Sequence, residues 1–264
     1  MERPKNIKRI LVTGANGQLG LSIKDIAIDY PEMEFIFANS LDLDITDPEM
    51  VNDLFQTGSF DYCINCAAYT NVEQAEKTPE LAYKVNAEGV KNLSMACKEN
   101  QVVLIHISTD YVFDGEKGSP YTIHDSTNPI NQYGKSKLVG EQYIQQLWRN
   151  HFIVRTSWLY HKVHGKNFYK TILEKAKKGD ELRIIDKEVG CPTNAANLAK
   201  FILDLIATEN HAYGLYHFTG EQAMSWYDFA ISILEKNNLK ETTNVIRDNS
   251  YQTLAKRPKY SVML

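Results

Sequence analysis

Tyr133 and Lys137 are the two residues whose types and spacing point most directly to chemistry. They are four positions apart in a segment that predicts a helix ending near Trp148, so both side chains should project from one helical face. An ammonium group beside a phenol favours the phenolate, and we therefore expect Lys137 to lower the pKa of Tyr133 from about 10. Such a phenol can exchange a proton near neutral pH. The alternative is a pair that merely shares an exposed helical face, so the surrounding motifs decide between the two interpretations.

A second group of polar side chains follows a predicted strand. The apolar run 102–107 is typical of a strand buried on both faces, and it ends at Ser108, Thr109 and Asp110. Ligands of open parallel sheets bind beyond the carboxyl ends of the strands. We therefore expect Thr109 to form a hydrogen bond with a substrate oxygen.

A glycine turn lies between a strand and a helix near the N-terminus. The β-branched, apolar run 8–13 predicts the strand, and the apolar spacing over 19–30 predicts the helix. Gly14 permits a tight turn, Gly17 lets the backbone approach a pyrophosphate, and Gly20 lets the helix pack on the strand. The free N–H groups of the helix N-terminus attract phosphate. This context predicts a dinucleotide site rather than a purely structural turn.

The choice of dinucleotide depends on the end of the second predicted strand, 33–38. NAD-binding proteins usually carry an acid there, which binds the ribose 2′-hydroxyl. This chain has Asn39 and Ser40 instead, and its nearest acids are Asp42 and Asp44. The missing acid removes a repulsion against a 2′-phosphate, although no arginine is present to attract one. We therefore predict NADP(H), with NAD(H) tolerated.

Together these motifs predict hydride transfer coupled to proton transfer. The bound dinucleotide supplies the hydride, Tyr133 donates a proton to a carbonyl oxygen, and Thr109 holds that oxygen. We expect Lys137 to contact the nicotinamide ribose as well. His106 lies in a buried strand and is interpreted as a core histidine. Three further histidines are scattered without metal-ligand spacing: His161, His164 and His217.

Composition and charge argue against several classes of protein. The chain has 264 residues, of which 43% are hydrophobic, and a net charge of −4 with no long basic run, which argues against a nucleic-acid partner. No apolar run reaches the roughly 18 residues of a membrane-spanning helix, and residues 1–9 lack the apolar core of a signal peptide. We therefore expect a cytoplasmic protein without a membrane partner.

The cysteines predict neither a disulfide framework nor a metal site. Cys63 and Cys66 have the spacing of a redox or metal motif, but there is no second pair and no nearby histidine. Their segment is interpreted as a buried strand, in which free cysteine behaves as a small apolar residue. The sequence also carries no acidic cluster that would bind a metal ion.

The order of predicted elements indicates an α/β protein. Strands and helices alternate up to about residue 155 and less regularly after it, which predicts a Rossmann-type doubly wound parallel sheet with a smaller, interleaved α/β substrate-binding lobe. We assign residues 1–155 plus roughly 193–208 to the dinucleotide-binding domain. Residues 156–192 plus 209–264, including a short strand predicted at 214–218, are assigned to the substrate-binding lobe.

These motifs resemble those of the extended short-chain dehydrogenase/reductases and, within them, the dTDP-4-dehydrorhamnose reductase family. The glycine turn and the Tyr/Lys pair are shared by the superfamily, whereas Thr109–Phe113 and Thr156–Tyr160 are much more specific to the reductases. The resemblance covers nearly the whole chain. Its remaining segments are Asn65–Thr70, Val85–Asn86, Gly165–Phe168, Gly190–Thr193 and Arg257–Pro258.

The resemblance implies reduction of the C4 keto group of dTDP-4-dehydro-L-rhamnose by NAD(P)H, giving dTDP-L-rhamnose for cell-surface polysaccharide. It implies a dTDP-linked keto sugar as substrate, a homodimer, and Thr109, Tyr133 and Lys137 as catalytic residues. The expected cofactor-binding residues are Gly14, Asn16, Gly17, Gln18, Leu19, Gly20, Asn39, Ser40, Asp44, Ile45, Cys66, Ala67, Ala68, Tyr69, Val85, Ser108, Tyr133 and Lys137. The expected substrate-binding residues are Thr70, Val72, Thr109, Asp110, Tyr111, Trp158 and Asn167.

Two alternatives stay open at this point. The first is a sugar-nucleotide 4,6-dehydratase or epimerase of the same fold. In dehydratases an Asp-Glu pair follows the threonine, whereas here Asp110 and Tyr111 follow Thr109. Epimerases retain NAD and turn over without added cofactor. The second is a non-catalytic, cofactor-binding regulatory subunit, which can keep the Tyr/Lys pair. The sequence also leaves open whether the nucleotide is dTDP, UDP or GDP.

Overall fold

The structure, a computed structural model, describes residues 7–250 and 252–264. Residues 1–9 were interpreted as lacking the apolar core of a signal peptide, and residues 1–6 of this segment lie outside the described residues. The strands are β1 (Lys8–Thr13), β2 (Met33–Ala38), β3 (Tyr62–Asn65), β4 (Val103–Thr109), β5 (His151–Thr156), β6 (Leu159–Tyr160), β7 (Leu182–Ile184), β8 (Val189–Gly190), β9 (Thr193–Asn194), β10 (Gly214–His217), β11 (Met224–Ser225) and β12 (Val245–Arg247).

Helices connect and cover these strands. They are α1 (Gln18–Ile26), α2 (Pro48–Gly58), α3 (Val72–Lys77), α4 (Pro79–Tyr83), α5 (Val90–Glu99), α6 (Gln132–Leu147), α7 (Phe168–Lys178), α8 (Ala195–Ala207) and α9 (Trp226–Lys236). A π-helical segment, Lys84–Gly89, joins α4 to α5. Short 3₁₀ turns occur at Ala27–Asp29, Asp110–Val112 and Lys240–Thr242. None of the helices in the described ranges is both long and apolar enough to span a lipid bilayer.

Six parallel strands form the central sheet, in the order β10-β5-β4-β3-β1-β2. β1 has β2 on one side and β3 on the other, so the chain leaves β1 in one direction and later returns on its other side. Such a reversal leaves a crevice at the carboxyl ends of the strands, where ligands of α/β sheets bind. This topology confirms the predicted fold class.

Both faces of the sheet are buried because successive strand residues point to opposite sides. In β1, Leu11 belongs to a core layer with Val51 of α2 and Leu93 of α5. Its neighbour Val12 belongs to the opposite layer, which contains Ile23 of α1 and residues of α8 such as Ile202. The alternation explains the nearly continuous apolar strand sequences.

A smaller core lies between α7 and α9. It contains Ile172 and Tyr169 of α7 together with Phe229 and Ile233 of α9, and Leu182 of β7 closes one side. The short pairs β7–β12 and β8–β11 border this lobe. The C-terminal tail then returns to the main body, where Met263 bridges to Tyr121.

One assignment of the sequence analysis is wrong. We assigned the strand predicted at 214–218 to the substrate-binding lobe, but β10 is an edge strand of the central sheet and pairs in parallel with β5. Its aromatic residue Tyr216 and the adjacent Tyr213 pack against the core layer that contains Phe152. The remaining division into two lobes stays a prediction.

Candidate active site

Two adjoining cavities lie at the carboxyl edge of the central sheet. The smaller has a volume of about 370 Å³ and the larger about 660 Å³. Five residues line both: Asn16, Gly17, Cys66, Ala67 and Ala68. The cavities therefore form one continuous groove that passes over the glycine turn.

The glycine turn forms the floor of the groove. Gly14 has a φ of +62°, and a Cβ at this position would lie 2.6 Å from the backbone nitrogen of Ala67. The N-terminus of α1 has no side-chain cap and no acid in its first turn, so its backbone N–H groups can receive an anion. Gly20 lines neither cavity, because a Cβ there would meet Ala15 at 2.7 Å. It supports the turn from outside the lining, and its contact with the cofactor stays a prediction.

The smaller cavity contains six of the predicted cofactor-binding residues. Asn39, Ser40, Asp44, Ile45, Tyr69 and Val85 all line it. The sequence analysis missed two further lining residues, Leu43 and Thr46. The Asp44 carboxylate accepts hydrogen bonds from the Thr46 backbone N–H and hydroxyl at 2.9 and 2.8 Å, and these bonds hold the pKa of Asp44 below its usual value.

Thr109, Tyr133 and Lys137 line the larger cavity together. Thr109 is the last residue of β4, while the other two lie on successive turns of α6. Asn131 caps α6 by accepting a hydrogen bond from the Gly134 N–H at 2.7 Å, and its amide donates to the Lys256 carbonyl at 2.8 Å. This cap fixes the start of the helix that carries both side chains.

The expected effect of Lys137 on Tyr133 is wrong for this structure. Burial raises the pKa of Tyr133 to about 12, a hydrogen bond with Thr109 acts in the opposite direction, and the charge of Asp110 raises it further. Burial also lowers the pKa of Lys137 to about 8, although the nearby Glu141 acts against this effect. Removal from water is the first cause of both shifts, and neither group is among the causes of the other's shift.

Lys137 is held below the groove by the strand β4. Its Nζ donates to the Ile107 carbonyl at 2.6 Å and lies 3.2 Å from Nε2 of His106. One helical turn later, Glu141 forms a buried bidentate ion pair with Arg155, at 2.9 and 2.6 Å. The predicted cofactor residue Ser108 lines the larger cavity, but its hydroxyl donates to Glu141 at 2.5 Å.

The wider end of the groove contains five of the predicted substrate residues besides Thr109: Thr70, Val72, Asp110, Tyr111 and Trp158. Trp158 has a φ of +47° and stacks on Trp226, with ring centroids 3.5 Å apart and an interplanar angle of 5°. A Cβ at Gly190 would lie 2.6 Å from the Trp158 ring. The two stacked indole rings thus form a flat wall of the cavity. The Gly190 backbone packs so closely on the Trp158 ring that no side chain fits between them.

The sequence analysis missed several residues of this cavity. Trp226 is the first residue of α9, directly after its N-cap Ser225, but no motif indicated that its ring faces the site. Lys166 lies in the Gly165–Phe168 segment, which was recognised as part of the resemblance without a role for the lysine. The others are Ile107, Thr156, Ser157, Leu159 and Gly165.

Asp110 lies almost completely buried beside Thr109. Its Oδ1 accepts a hydrogen bond from the Thr109 hydroxyl at 3.0 Å, while its Oδ2 is buried without a hydrogen-bond partner among the described residues. Burial raises the pKa of Asp110 to about 7, despite opposing hydrogen bonds from Ser261 and Thr109. A buried carboxyl with this pKa carries its proton for part of the neutral range.

Asn167 is the one predicted substrate residue outside the lining of the groove. It caps α7 by accepting a hydrogen bond from the Lys170 N–H at 3.0 Å, and its amide donates to Gln18 at 2.6 Å and to the carbonyls of His161 and His164. Its polar atoms are therefore used to hold the loop against α1. Asn167 is a positioning residue of that loop and does not contact the cavity.

The sequence analysis described His161 and His164 as scattered, but the structure brings the two side chains together in this loop. His164 pairs with Asp25 of α1 at 2.6 Å, and His161 stacks beside His164. The three residues lie close enough to suggest a metal site. However, Nδ1 of His161 accepts backbone N–H bonds from Val163 and His164, which leaves the proton of the neutral ring on Nε2 and no lone pair for a metal ion. The group joins the loop to α1.

Comparisons with known proteins agree with this geometry. The family model described as the RmlD substrate binding domain matches residues 8–264. A curated dTDP-4-dehydrorhamnose reductase of Aggregatibacter actinomycetemcomitans is 39% identical over 265 residues, which cover 97% of this chain and 90% of the relative.

Two solved structures are also similar over most of their length. A dTDP-4-dehydrorhamnose reductase of Clostridium acetobutylicum has a TM-score of 0.91 and 42% identity, covering 97% of this chain and 90% of that one. The enzyme of that name from Bacillus anthracis, in complex with NADP, has a TM-score of 0.93 and 38% identity, covering 98% and 90%. The chain belongs to the RmlD substrate binding domain family.

Proposed function

We propose that this protein reduces the C4 keto group of dTDP-4-dehydro-L-rhamnose with NAD(P)H, giving dTDP-L-rhamnose for cell-surface polysaccharide. One observation carries the proposal: Thr109, Tyr133 and Lys137 line the same cavity, and that cavity is continuous with the glycine turn. A carbonyl carbon in the larger cavity can therefore lie next to a dinucleotide held in the groove.

The groove fits a dinucleotide at its glycine turn. The Gly14 backbone lies too close to Ala67 for any side chain, and the uncapped start of α1 offers N–H groups to a pyrophosphate. When bound, the cofactor supplies the hydride. Gly14 and Gly17 support its phosphates, and Asn39, Ser40 and Asp44 border its adenosine end.

The side chains of the larger cavity supply and position the proton. Because burial raises the pKa of Tyr133 to about 12, the phenol holds its proton over the neutral range and can donate it to an oxygen that gains negative charge. Thr109 would position that oxygen by a second hydrogen bond, with its one hydroxyl proton turned from Asp110 to the substrate. Lys137 lies one helical turn away and would hold the ribose next to the nicotinamide.

NADP(H) is the favoured cofactor. The described lining of the smaller cavity contains one carboxylate, that of Asp44, and this group is engaged by Thr46. A 2′-phosphate beside Ser40 therefore meets a hydroxyl, while the carboxylate of Asp44 is held by Thr46. The Bacillus anthracis relative was solved with NADP, which supports the same choice.

The residues that bind the sugar nucleotide are also part of the proposal. The stacked indoles of Trp158 and Trp226 offer an apolar platform for a sugar or a base. Lys166 lies in the lining and can pair with a diphosphate. A dTDP-linked keto sugar contains a sugar and a base, which can pack on the indoles, and a diphosphate, which can pair with Lys166.

The test is to supply dTDP-4-dehydro-L-rhamnose, made in situ, and to follow oxidation of NADPH and of NADH by the purified protein. We expect oxidation of one cofactor equivalent per dTDP-L-rhamnose formed. No oxidation with either cofactor would overturn the proposal. Turnover without added cofactor would favour an epimerase, whereas cofactor binding with no turnover would favour a regulatory subunit.

A further inference from the structure

Three polar residues lie side by side on adjacent strands beneath the groove. Thr13 of β1 pairs in register with Asn65 of β3, which pairs with His106 of β4. All three are buried, with exposed fractions of 0%, 1% and 0%. Beyond His106 lies Lys137. The sequence analysis interpreted His106 as a core histidine, but its contacts give it a more specific role.

The amide of Asn65 has only one orientation compatible with its neighbours. The Ala67 backbone N–H, which can only donate, lies 3.1 Å from Oδ1, and the Thr13 hydroxyl donates to the same oxygen at 2.7 Å. The amide nitrogen therefore faces His106, where it donates to Nδ1 at 3.0 Å.

This orientation places the proton of His106. Burial is the first cause that holds the pKa of His106 well below its usual value, so the ring is neutral. A neutral imidazole has one donor and one acceptor nitrogen. Since Nδ1 accepts from Asn65, the proton lies on Nε2, which faces Lys137 Nζ at 3.2 Å.

An N–H group aimed at Lys137 requires a lone pair on its Nζ. The uncharged amine has one and the ammonium has none. From the geometry we infer that His106, oriented by Asn65, is a positioning residue whose Nε2–H faces Lys137 and favours the uncharged amine of that residue over its ammonium in the cofactor-free protein. The inference concerns the site of the proposed function, but its main test needs no substrate.

The other groups near Lys137 do not reverse this preference. Glu141, on the same helix, favours the ammonium, but its carboxylate is already paired with Arg155 and Ser108. Cys66, after β3, acts weakly in the same direction. The Ile107 carbonyl accepts a hydrogen bond from either form of Nζ. Burial favours the uncharged amine as well, so the histidine adds its preference to the side that burial already favours.

Replacing Asn65 by aspartate should reverse the direction of the hydrogen bond between residue 65 and His106. A carboxylate still accepts from Ala67 and Thr13, but it also accepts from His106, so the ring proton moves to Nδ1. Nε2 then presents a lone pair to Lys137 and favours its ammonium form. Thr13→Val is the matched control. It removes the hydrogen bond from the Thr13 hydroxyl but keeps the one from the Ala67 N–H, which is enough to orient the Asn65 amide.

The experiment is long-range ¹H–¹⁵N NMR of the full chain with labelled histidine, which distinguishes protonated from unprotonated ring nitrogens. The His106 signals are assigned as those missing in His106→Gln. We expect the Nε2–H tautomer in the parent protein and in Thr13→Val, and the Nδ1–H tautomer in Asn65→Asp. An Nδ1–H tautomer or a doubly protonated ring in the parent protein would overturn the inference, even if Asn65→Asp fails to fold.

A second measurement follows the lysine itself. In ¹³C-lysine-labelled protein, the Cε shift of Lys137 reports its titration, and Lys137→Arg identifies the signal. A glutamine at position 106 can turn its carbonyl oxygen to the ammonium, so His106→Gln should raise the pKa of Lys137 by about one unit. A purely structural histidine would leave this pKa unchanged, and that result would also contradict the inference. Neither spectrum depends on catalytic turnover.

Discussion

Among single residues, Ser40 offers the clearest test of cofactor choice. It is exposed and lines the smaller cavity beside Asn39. In Ser40→Asp, a carboxylate stands where we expect the 2′-phosphate, and repulsion of about 1 kcal/mol should weaken NADPH binding about fivefold. NADH, which lacks this phosphate, should bind as before.

Dissociation constants from fluorescence titration with each cofactor measure the effect. Leu41→Asp is a matched control, because Leu41 is 90% exposed and does not line the cavity. An equal loss of affinity for NADPH and NADH in Ser40→Asp would mean that the 2′-phosphate binds elsewhere.

The sequence predicted which catalytic side chains meet but not their electrostatics. Thr109, Tyr133 and Lys137 line one cavity because strand ends and the start of α6 converge at one edge of the sheet. The pKa of Tyr133 was predicted in the wrong direction, since its burial depends on residues distant in sequence. The sequence also did not show that the Asn167 amide donates to Gln18, which is 149 residues away, and its role in substrate binding stays a prediction.

At the scale of elements, the close contact between β8 and the tryptophan pair carries a prediction. A Cβ at Gly190 would lie 2.6 Å from the Trp158 ring, so Gly190→Ala should displace that ring from Trp226. Loss of an ordered aromatic wall worth about 1 kcal/mol should raise KM for the sugar nucleotide about fivefold. The affinity for NADPH should stay unchanged.

Steady-state kinetics with both substrates varied separates these effects. Gly118→Ala serves as the control, because an added Cβ there has no atom within 4 Å, so it tests backbone strain at a φ of +71° without displacing a neighbour. If Gly190→Ala leaves KM for the sugar nucleotide unchanged, the tryptophan pair is not part of the substrate site.

Most elements followed from local patterns, and the exception depends on a distant neighbour. β2 lies where the apolar run 33–38 predicted it, and α1 follows the glycine turn. The edge strand β10 was assigned to the wrong lobe because its neighbour, β5, is about 60 residues away in sequence.

For the whole molecule, Asp110 predicts how stability depends on pH. Burial raises its pKa from 3.8 to about 7, so the folded protein holds this proton more tightly than the unfolded chain. Its contribution is fully present below about pH 4 and is lost as the pH rises through 7, a change of about 4 kcal/mol. Asp110→Asn cannot ionise and should not show this loss.

Urea unfolding at pH 5 and pH 8 measures the difference. The gain in unfolding free energy of Asp110→Asn over the parent protein should be larger at pH 8. Asp114→Asn is the contrasting control: hydrogen bonds, first that from the Glu116 N–H, lower the pKa of Asp114, so its ionised form stabilises the fold above pH 4. The same gain at both pH values would show that Asp110 does not titrate in this range.

The central claim is that Tyr133 donates the proton to the C4 oxygen of a nucleotide-linked keto sugar. The most direct test compares Tyr133→Phe with the parent protein, using NADPH and dTDP-4-dehydro-L-rhamnose. The phenylalanine keeps the ring that packs edge-on against Tyr111, with centroids 5.8 Å apart, and removes only the hydroxyl.

We predict that kcat falls by about 10²- to 10⁴-fold, as expected for loss of a general acid. The affinity for NADPH should stay within about twofold, because the hydroxyl is not needed to hold the phosphates. A Tyr133→Phe variant that oxidises NADPH at the parent rate would contradict the assignment of Tyr133 as the proton donor.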